Sequence, residues 1–227
     1  GRYFGTITYT KDGEYVYVIT EDTPDNPTPG MTYSEEEVTL SVEVEKAEDG
    51  TLSIKSATYK YADDTEGNTF TNEYTKPEGS ASIPVEKAMT GNTYSGSETF
   101  IFDLTVGAAT KKGSDEAVAA ADMPTVSSTS VTVAKDATES FSITNYTVPG
   151  TYTYTIKERK PTQATPGMYY DETERTVTIE VDYAADGKTL VATVKEGTTE
   201  ITDDDPLVIT NKYSKITYTP EAEKSVS

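Results

Sequence analysis

The sequence repeats itself over a long period. When it is shifted by 137 positions, Phe4–Gly50 aligns with Phe141–Gly187 without a gap, and nearly half of the aligned positions are identical. After two insertions the match resumes at FTNEYTK (Phe70–Lys76) and ITNKYSK (Ile209–Lys215). Because the repeats of solenoid proteins span only about 20–50 residues, a period of this length indicates tandem domains.

Each copy has the pattern of an all-β domain. Short runs rich in Thr, Val, Ile and Tyr alternate with turn signals such as KDG, VPG, EDG and ADG, about every ten residues, which predicts a sandwich. DEAVAAADMP (Asp115–Pro124) has helical composition and is interpreted as a short surface helical turn or a loop. In the complete copy we predict strands at 80–89, 97–106, 127–133, 139–147, 151–159, 174–184, 188–195 and 206–213.

The two copies differ in extent. The second is complete, over 79–214, whereas the first begins at the counterpart of Thr138 and covers 1–78. We therefore expect the rear part of one domain followed by a whole second domain.

The last residues, 215–227, resemble the opening of the complete copy. TPEAEKSVS (Thr219–Ser227) is similar to IPVEKAMTG (Ile83–Gly91), and the alignment places Lys224 on Lys87. We expect this segment to be the first strand of a further or neighbouring domain, so that it resembles a donor strand.

Composition excludes several classes of function. A net charge of −20 repels nucleic acid and anionic lipid. The absence of Cys and His removes disulfides, thiolate metal sites and histidine-based catalysis. No run of eighteen apolar residues predicts a membrane span. The acidic loops Asp63–Asn68 and Thr202–Pro206 do not fit an EF-hand, so we predict no metal and no cofactor, with calcium in these loops as the alternative.

Strand alternation places polar groups on the apolar faces of three predicted strands, since residues i and i+2 share a face. In TYTYTIKE (Thr151–Glu158) the face that begins with Tyr152 ends at Glu158. The same alternation turns Lys87 and Asn211 inward. The first copy repeats two of the three groups, as Glu21 and Asn72.

These three groups allow more than one interpretation. In the first interpretation, they form a buried Lys–Glu ion pair that is hydrogen-bonded to the Asn amide. In the second, the assignment of inward and outward positions along the strands is off by one residue, and all three side chains point outward. The third interpretation is covalent. A desolvated, neutral lysine attacks the Asn carboxamide, while a protonated carboxyl group binds the amide oxygen and shuttles protons. The products are an isopeptide bond and ammonia, in a pocket lined by Tyr152, Tyr154 and Ile156.

The segments IPVEK, FIFDL, YTYTIKE and LVITNKY resemble the pilin isopeptide-linkage domain of streptococcal-type pilus shaft proteins, the CnaB-type immunoglobulin-like sandwiches of Gram-positive bacteria. The resemblance covers Ser80–Tyr213 in full and Phe4–Tyr74 as a partial copy. It implies tandem immunoglobulin-like β-sandwiches in which the first and last strands lie side by side and run in the same direction.

The resemblance also implies residue roles. Lys87 is the nucleophile, Asn211 the acceptor and Glu158 the proton shuttle. For the first copy it implies Glu21 as shuttle and Asn72 as acceptor.

The function implied by the resemblance is that of a structural subunit of an extracellular pilus at the cell surface. It is no enzyme beyond single-turnover cross-linking of itself, and its partners are copies of itself arranged head-to-tail. The alternative is a stalk module of a Gram-positive cell-wall adhesin that binds a host-surface or matrix ligand.

The tail adds a hypothesis, in which Lys224 of one subunit bonds Asn72 of the next with the help of Glu21. The strand face matching that of Lys87 contains Tyr218, Pro220, Ala222, Lys224 and Val226. No segment replaces the counterpart of Gly91–Ala137. The other interpretation is that the chain is a cut from a longer tandem array, in which Lys224 serves a third domain.

Overall fold

The computed structural model describes residues 4–225 and divides into two compact units, Gly1–Thr75 and Lys76–Ser227. Both units are built from β-strands. The helical part of the described residues is one 3-10 turn, Ala120–Asp122, which lies within the segment for which the sequence suggested a short helical turn or a loop. No helix in residues 4–225 is long and apolar enough to cross a membrane.

The first unit has two small sheets. Its strands are β1 (Gly13–Ile19), β2 (Met31–Thr32), β3 (Val38–Lys46), β4 (Leu52–Tyr61) and β5 (Glu73–Tyr74). The order in the larger sheet is β1-β3-β4, and β2 pairs with β5. Along β1, Tyr15, Tyr17 and Ile19 alternate with exposed residues, as the sequence predicts, but they are only half-buried.

The second unit is a sandwich of two larger sheets. Its strands are β6 (Gly79–Gly91), β7 (Thr99–Lys111), β8 (Thr125–Val126), β9 (Ser130–Ala134), β10 (Thr138–Tyr146), β11 (Gly150–Glu158), β12 (Met168–Tyr169), β13 (Arg175–Tyr183), β14 (Leu190–Glu196), β15 (Thr199–Glu200) and β16 (Leu207–Tyr213). One sheet has the order β12-β16-β6-β10-β8, and the other β15-β14-β13-β11-β7-β9. The prediction of an all-β, immunoglobulin-like sandwich is confirmed.

One predicted strand is only partly right. Within 127–133 the strand is β9, which begins at Ser130 and pairs with β7, whereas β8 ends before this region, at Val126, and pairs with β10 in the other sheet. The chain crosses between the sheets at Ser127–Thr129. There the Ser128 side chain accepts a hydrogen bond from the Ser130 N–H and donates one to the Ser130 carbonyl. A serine turn of this kind competes with the strand ladder.

The core lies between the inner faces of the two sheets. Its largest apolar side chains are fully buried and come from both sheets, among them Tyr146, Tyr152, Tyr154, Phe102 and Phe141. Burial of so much aromatic surface is a main stabilising contribution in a chain without disulfides.

The first and last strands of this unit are neighbours. β6 and β16 run parallel, with Lys87 opposite Ile209 and Met89 opposite Asn211. This is the arrangement that the resemblance implied, and it brings residues far apart in sequence onto one side of the core.

The two units share their local geometry. β1 pairs with β3 in the register in which β11 pairs with β13, so that Gly13 opposite Val44 corresponds to Gly150 opposite Val181. The Pro-Gly-Met turn also recurs, with φ of 81° and 83° at its two glycines. At Gly167 an added Cβ would lie 2.3 Å from the Ser214 carbonyl oxygen. Glycine is needed there for its backbone conformation and for space.

Candidate isopeptide site

Three polar side chains meet in the core of the second unit. Lys87, Glu158 and Asn211 are 0%, 2% and 0% exposed. Lys87 and Asn211 come from the adjacent parallel strands β6 and β16, whereas Glu158 ends β11 in the facing sheet. The prediction that these groups point inward is confirmed, which removes the interpretation with a shifted register.

Glu158 bridges the other two side chains. Its Oε2 accepts a hydrogen bond from Lys87 Nζ at 2.7 Å, and its Oε1 accepts one from Asn211 Nδ2 at 2.7 Å. The carboxylate therefore holds the amine and the amide next to each other. Lys87 Nζ and Asn211 Nδ2, the two nitrogens between which a proton would pass, both contact this carboxylate.

The amide oxygen of Asn211 has a different partner from the one expected. Asn211 Oδ1 accepts a hydrogen bond of 2.8 Å from the backbone N–H of Asp171, just beyond β12. The expectation that Glu158 donates to this oxygen is wrong, because the NH₂ group of Asn211 faces Glu158. An N–H aimed at a carbonyl oxygen stabilises negative charge that develops there. No residue type marks such a backbone donor, so the sequence carries no signal for it.

The amine is enclosed by aromatic rings. Lys87 Nζ lies 4.9 Å from the ring centroid of Phe100 and 5.7 Å from that of Phe102, both on β7. The sequence predicted a pocket lined by Tyr152, Tyr154 and Ile156, not by these two rings. Both tyrosines are buried, but their hydroxyls bond elsewhere, to Val148 O and Tyr146. The alternation of residues in FIFDL, which puts Phe100 and Phe102 on one face of a strand, could have indicated that both rings point into the core.

Burial shifts both titratable groups towards neutrality. Desolvation lowers the pKa of Lys87 below its usual value, although the hydrogen bond that Lys87 donates to Glu158 opposes this. Desolvation likewise raises the pKa of Glu158, against the effect of Lys87 and Asn211. Both shifts favour a neutral amine beside a protonated acid, and a neutral amine is the nucleophilic form of lysine.

The first unit contains two of the three groups in the same arrangement. Asn72 Nδ2 donates to Glu21 Oε1 at 2.9 Å, and the Ser34 backbone N–H donates to Asn72 Oδ1 at 2.9 Å. Asn72 is exposed and Glu21 half-buried. The second oxygen, Glu21 Oε2, is buried and has no hydrogen-bond partner within residues 4–225. Lys224 lies exposed, outside any strand.

The acidic loops show ordinary turn contacts. Asp63 Oδ1 accepts hydrogen bonds from the N–H and hydroxyl of Thr65, and Thr202 and Asp205 bond each other through their backbones. Within residues 4–225 no group of three or more acidic side chains is placed to hold a metal ion.

Comparison with known proteins assigns the chain to a family. The family model described as "FctA: Spy0128-like isopeptide containing domain" matches residues 2–75 and 83–214. No curated protein matches the chain.

Similar solved structures include the major pilin of Streptococcus pyogenes, with 19% identity over 91% of this chain and 72% of that chain, at a TM-score of 0.33. The T3.2 major pilin of the same species has 22% identity over 91% and 69%, also at 0.33. Its T-13 major pilin has 19% identity over 92% and 70%, at 0.30. At such scores the family assignment depends on the family model.

Proposed function

The chain belongs to the FctA family of Spy0128-like isopeptide-containing domains, and on that premise we propose that it is a structural subunit of a surface pilus. Its second unit is locked by an isopeptide bond between Lys87 and Asn211. The observation that carries this proposal is the buried carboxylate of Glu158, which contacts the amine and the amide at 2.7 Å each.

The bond forms by exchange of one nitrogen for another on the Asn211 carboxamide. With Glu158 protonated, neutral Lys87 Nζ attacks Asn211 Cγ, and the charge that develops on Oδ1 faces the Asp171 N–H. Glu158 gives its proton to Nδ2 and takes one from Nζ, so that it ends protonated as it began. The Cγ–Nδ2 bond breaks and ammonia leaves. No oxidant or cofactor enters the balance.

A simple ion pair with the same residues is the competing interpretation. A buried ion pair contributes little net stability, because desolvation of two charges offsets their attraction. The covalent product instead removes the amine and the primary amide, which leaves one secondary amide in the core. The family assignment supports the covalent interpretation as well.

Intact mass spectrometry of the folded chain separates the two interpretations. We expect a mass lower by one ammonia than the sequence predicts, and a peptide map in which Lys87 and Asn211 are joined. Lys87→Met and Asn211→Ala should each restore the full mass. Glu158→Gln should fold but fail to link. The matched control Lys212→Met, at an exposed lysine beside Asn211, should keep the bond. Full mass in folded wild-type protein contradicts the proposal.

The proposed organisation has three parts. A partial domain covers 1–78, a complete domain covers 79–214, and 215–227 serves as a donor-like strand. The division of the structure after Thr75 and the two separate family matches support the boundary between the domains. As pilus subunits, copies of the chain join head-to-tail outside the cell.

A further inference from the structure

A further carboxylate lies beside the candidate site, immediately before β7. Strand alternation puts Glu98 on the same face as Phe100 and Phe102. Those two rings enclose the Lys87 amine. Glu98 is half-buried, and the cross-linking chemistry described above does not use it. A carboxylate in such a position needs hydrogen-bond donors to offset its lost hydration.

Three hydroxyl groups donate hydrogen bonds to this carboxylate. Glu98 Oε1 accepts from Tyr170 at 2.6 Å, whereas Oε2 accepts from Thr165 at 2.8 Å and from Tyr94 at 3.0 Å. Burial and then the bond to Glu98 raise the pKa of Tyr170, so its hydroxyl stays protonated and donates. Two of the three donors, Thr165 and Tyr170, are only five residues apart in the sequence.

These two donors belong to the segment that serves Asn211. The segment Thr165–Asp171, here called the donor loop, contains β12 and ends at the residue whose N–H bonds Asn211 Oδ1. β12 is an edge strand of two residues, and it pairs with the end of β16. A ladder this short provides few hydrogen bonds to hold the loop in place.

Glu98 attaches the donor loop to the other sheet. β12 belongs to the five-stranded sheet, whereas Glu98 leads into β7 of the six-stranded sheet. The ring of Tyr170 also lies near that of Phe100, with centroids 6.4 Å apart. The loop that supplies the Asp171 N–H is therefore fixed both to the strand of Asn211 and to the strand whose rings enclose the amine.

The tyrosine hydroxyl also braces the loop from within. Tyr170 Oη accepts a hydrogen bond of 3.2 Å from the Thr165 N–H, and in the first unit Tyr33 Oη accepts one of 3.2 Å from the Thr28 N–H. The brace is thus common to both units. A hydroxyl that donates to a carboxylate becomes a better acceptor, so Glu98 strengthens this internal bond in the second unit.

We propose that Glu98 is a positioning residue for the Lys87–Asn211 reaction and acts through Tyr170 on the Asp171 N–H, a proposal that rests on the function proposed above. Asn211 Oδ1 gains negative charge when the amine attacks and loses it when ammonia leaves. A donor stabilises this charge only if it is already held in place. Glu98 holds the loop that carries the donor and takes no part in the proton transfer itself.

The rate of linkage in full chains tests this role. Chains made by cell-free translation are quenched in acid at intervals, and intact mass gives the fraction that has lost one ammonia. Loss of an oxyanion donor slows reactions by about 100- to 1,000-fold, so Tyr170→Phe, which loosens the donor without removing it, should slow linkage about tenfold. The matched control Tyr94→Phe removes a hydroxyl from the same carboxylate but not from the donor loop, so it should link at the wild-type rate.

Substitutions of Glu98 separate positioning from bulk. Glu98→Ala should slow linkage at least as much as Tyr170→Phe, whereas Glu98→Gln keeps an oxygen acceptor and should recover most of the rate. The double variant Tyr170→Phe/Glu98→Ala should be no slower than Glu98→Ala, because both changes remove the same connection. Slowing that multiplies in the double variant would contradict the proposal.

Hydrogen exchange of the Asp171 amide gives a second readout, measured in the Lys87→Met background so that no chain is linked. Tyr170→Phe should speed exchange at Asp171 and leave the β11–β13 ladder unchanged, whereas Tyr94→Phe should change neither. Unchanged exchange at Asp171, or linkage of Tyr170→Phe at the wild-type rate, overturns the positioning role while the bond itself stands. Wild-type chains that keep their full mass overturn both this role and the proposed function.

Discussion

The two units place the same glutamate–asparagine pair beside the same backbone donor, but a lysine reaches the pair in the second unit alone among the described residues. There the three groups are fully buried, whereas Asn72 is exposed and Glu21 half-buried. The hydrogen bonds of the pair have nearly equal lengths in both units. Local sequence therefore determines the hydrogen bonds of the glutamate–asparagine pair. The strand that carries the lysine determines whether the pair is buried.

The tyrosines support this conclusion. The rings of Tyr146 and Tyr152 are 4.8 Å apart, and those of their counterparts Tyr9 and Tyr15 are 4.6 Å apart. The first pair is 0% exposed and the second half-buried. The two tyrosine rings of each pair therefore come equally close whether or not a strand equivalent to β6 covers them. In the second unit the covering strand adds burial and leaves the distance between the rings nearly unchanged.

The largest effect should come from removing the lysine of the complete unit. The proposed Lys87–Asn211 bond would close a loop of more than a hundred residues. By the loop-entropy model for disulfides, loss of this bond in Lys87→Met costs about 4–5 kcal/mol of unfolding free energy. Asn72→Ala in the first unit removes exposed hydrogen bonds and should cost about 1 kcal/mol or less. Hydrogen exchange resolved along the chain measures both units, and equal losses would refute the contrast.

A smaller, pH-dependent effect should appear in the same Lys87→Met variant. Burial raises the pKa of Glu158, and Lys87 is one of the groups that oppose the rise. Without the amine, folded Glu158 holds its proton more tightly than the unfolded chain does. The unfolding free energy should therefore be highest at low pH and fall as pH rises above the ordinary glutamate pKa of about 4.3. The slope is about 1.4 kcal/mol per pH unit until the folded pKa is reached.

Urea unfolding across that pH range measures the slope. The double variant Lys87→Met/Glu158→Gln is the control, because glutamine does not titrate and the slope assigned to Glu158 should disappear. A difference between the two variants that does not change with pH would show that Glu158 is not held neutral.

The sequence predicts the inward lysine, glutamate and asparagine because alternation along a strand is fixed by backbone geometry. Apolar neighbours two residues away lie on the same strand face as Lys87, Glu158 and Asn211, so the inward face can be recognised from the sequence. The Asp171 N–H could not be predicted in this way, since its counterpart is a serine and any non-proline residue supplies the same donor. The crossing between the sheets at Ser127–Thr129 depends on long-range pairing, which local composition does not encode.

The smallest effect concerns a tyrosine hydrogen bond that both units make. Tyr152 donates to Val148 O at 2.7 Å, and its counterpart Tyr15 donates to Lys11 O at 3.0 Å. Tyr152→Phe should cost about 1–2 kcal/mol, because a partly buried carbonyl loses its partner, whereas water can replace the half-exposed Tyr15 hydroxyl at about 0.5 kcal/mol. Hydrogen exchange of each unit gives the two losses, and equal costs would mean that burial does not separate the units.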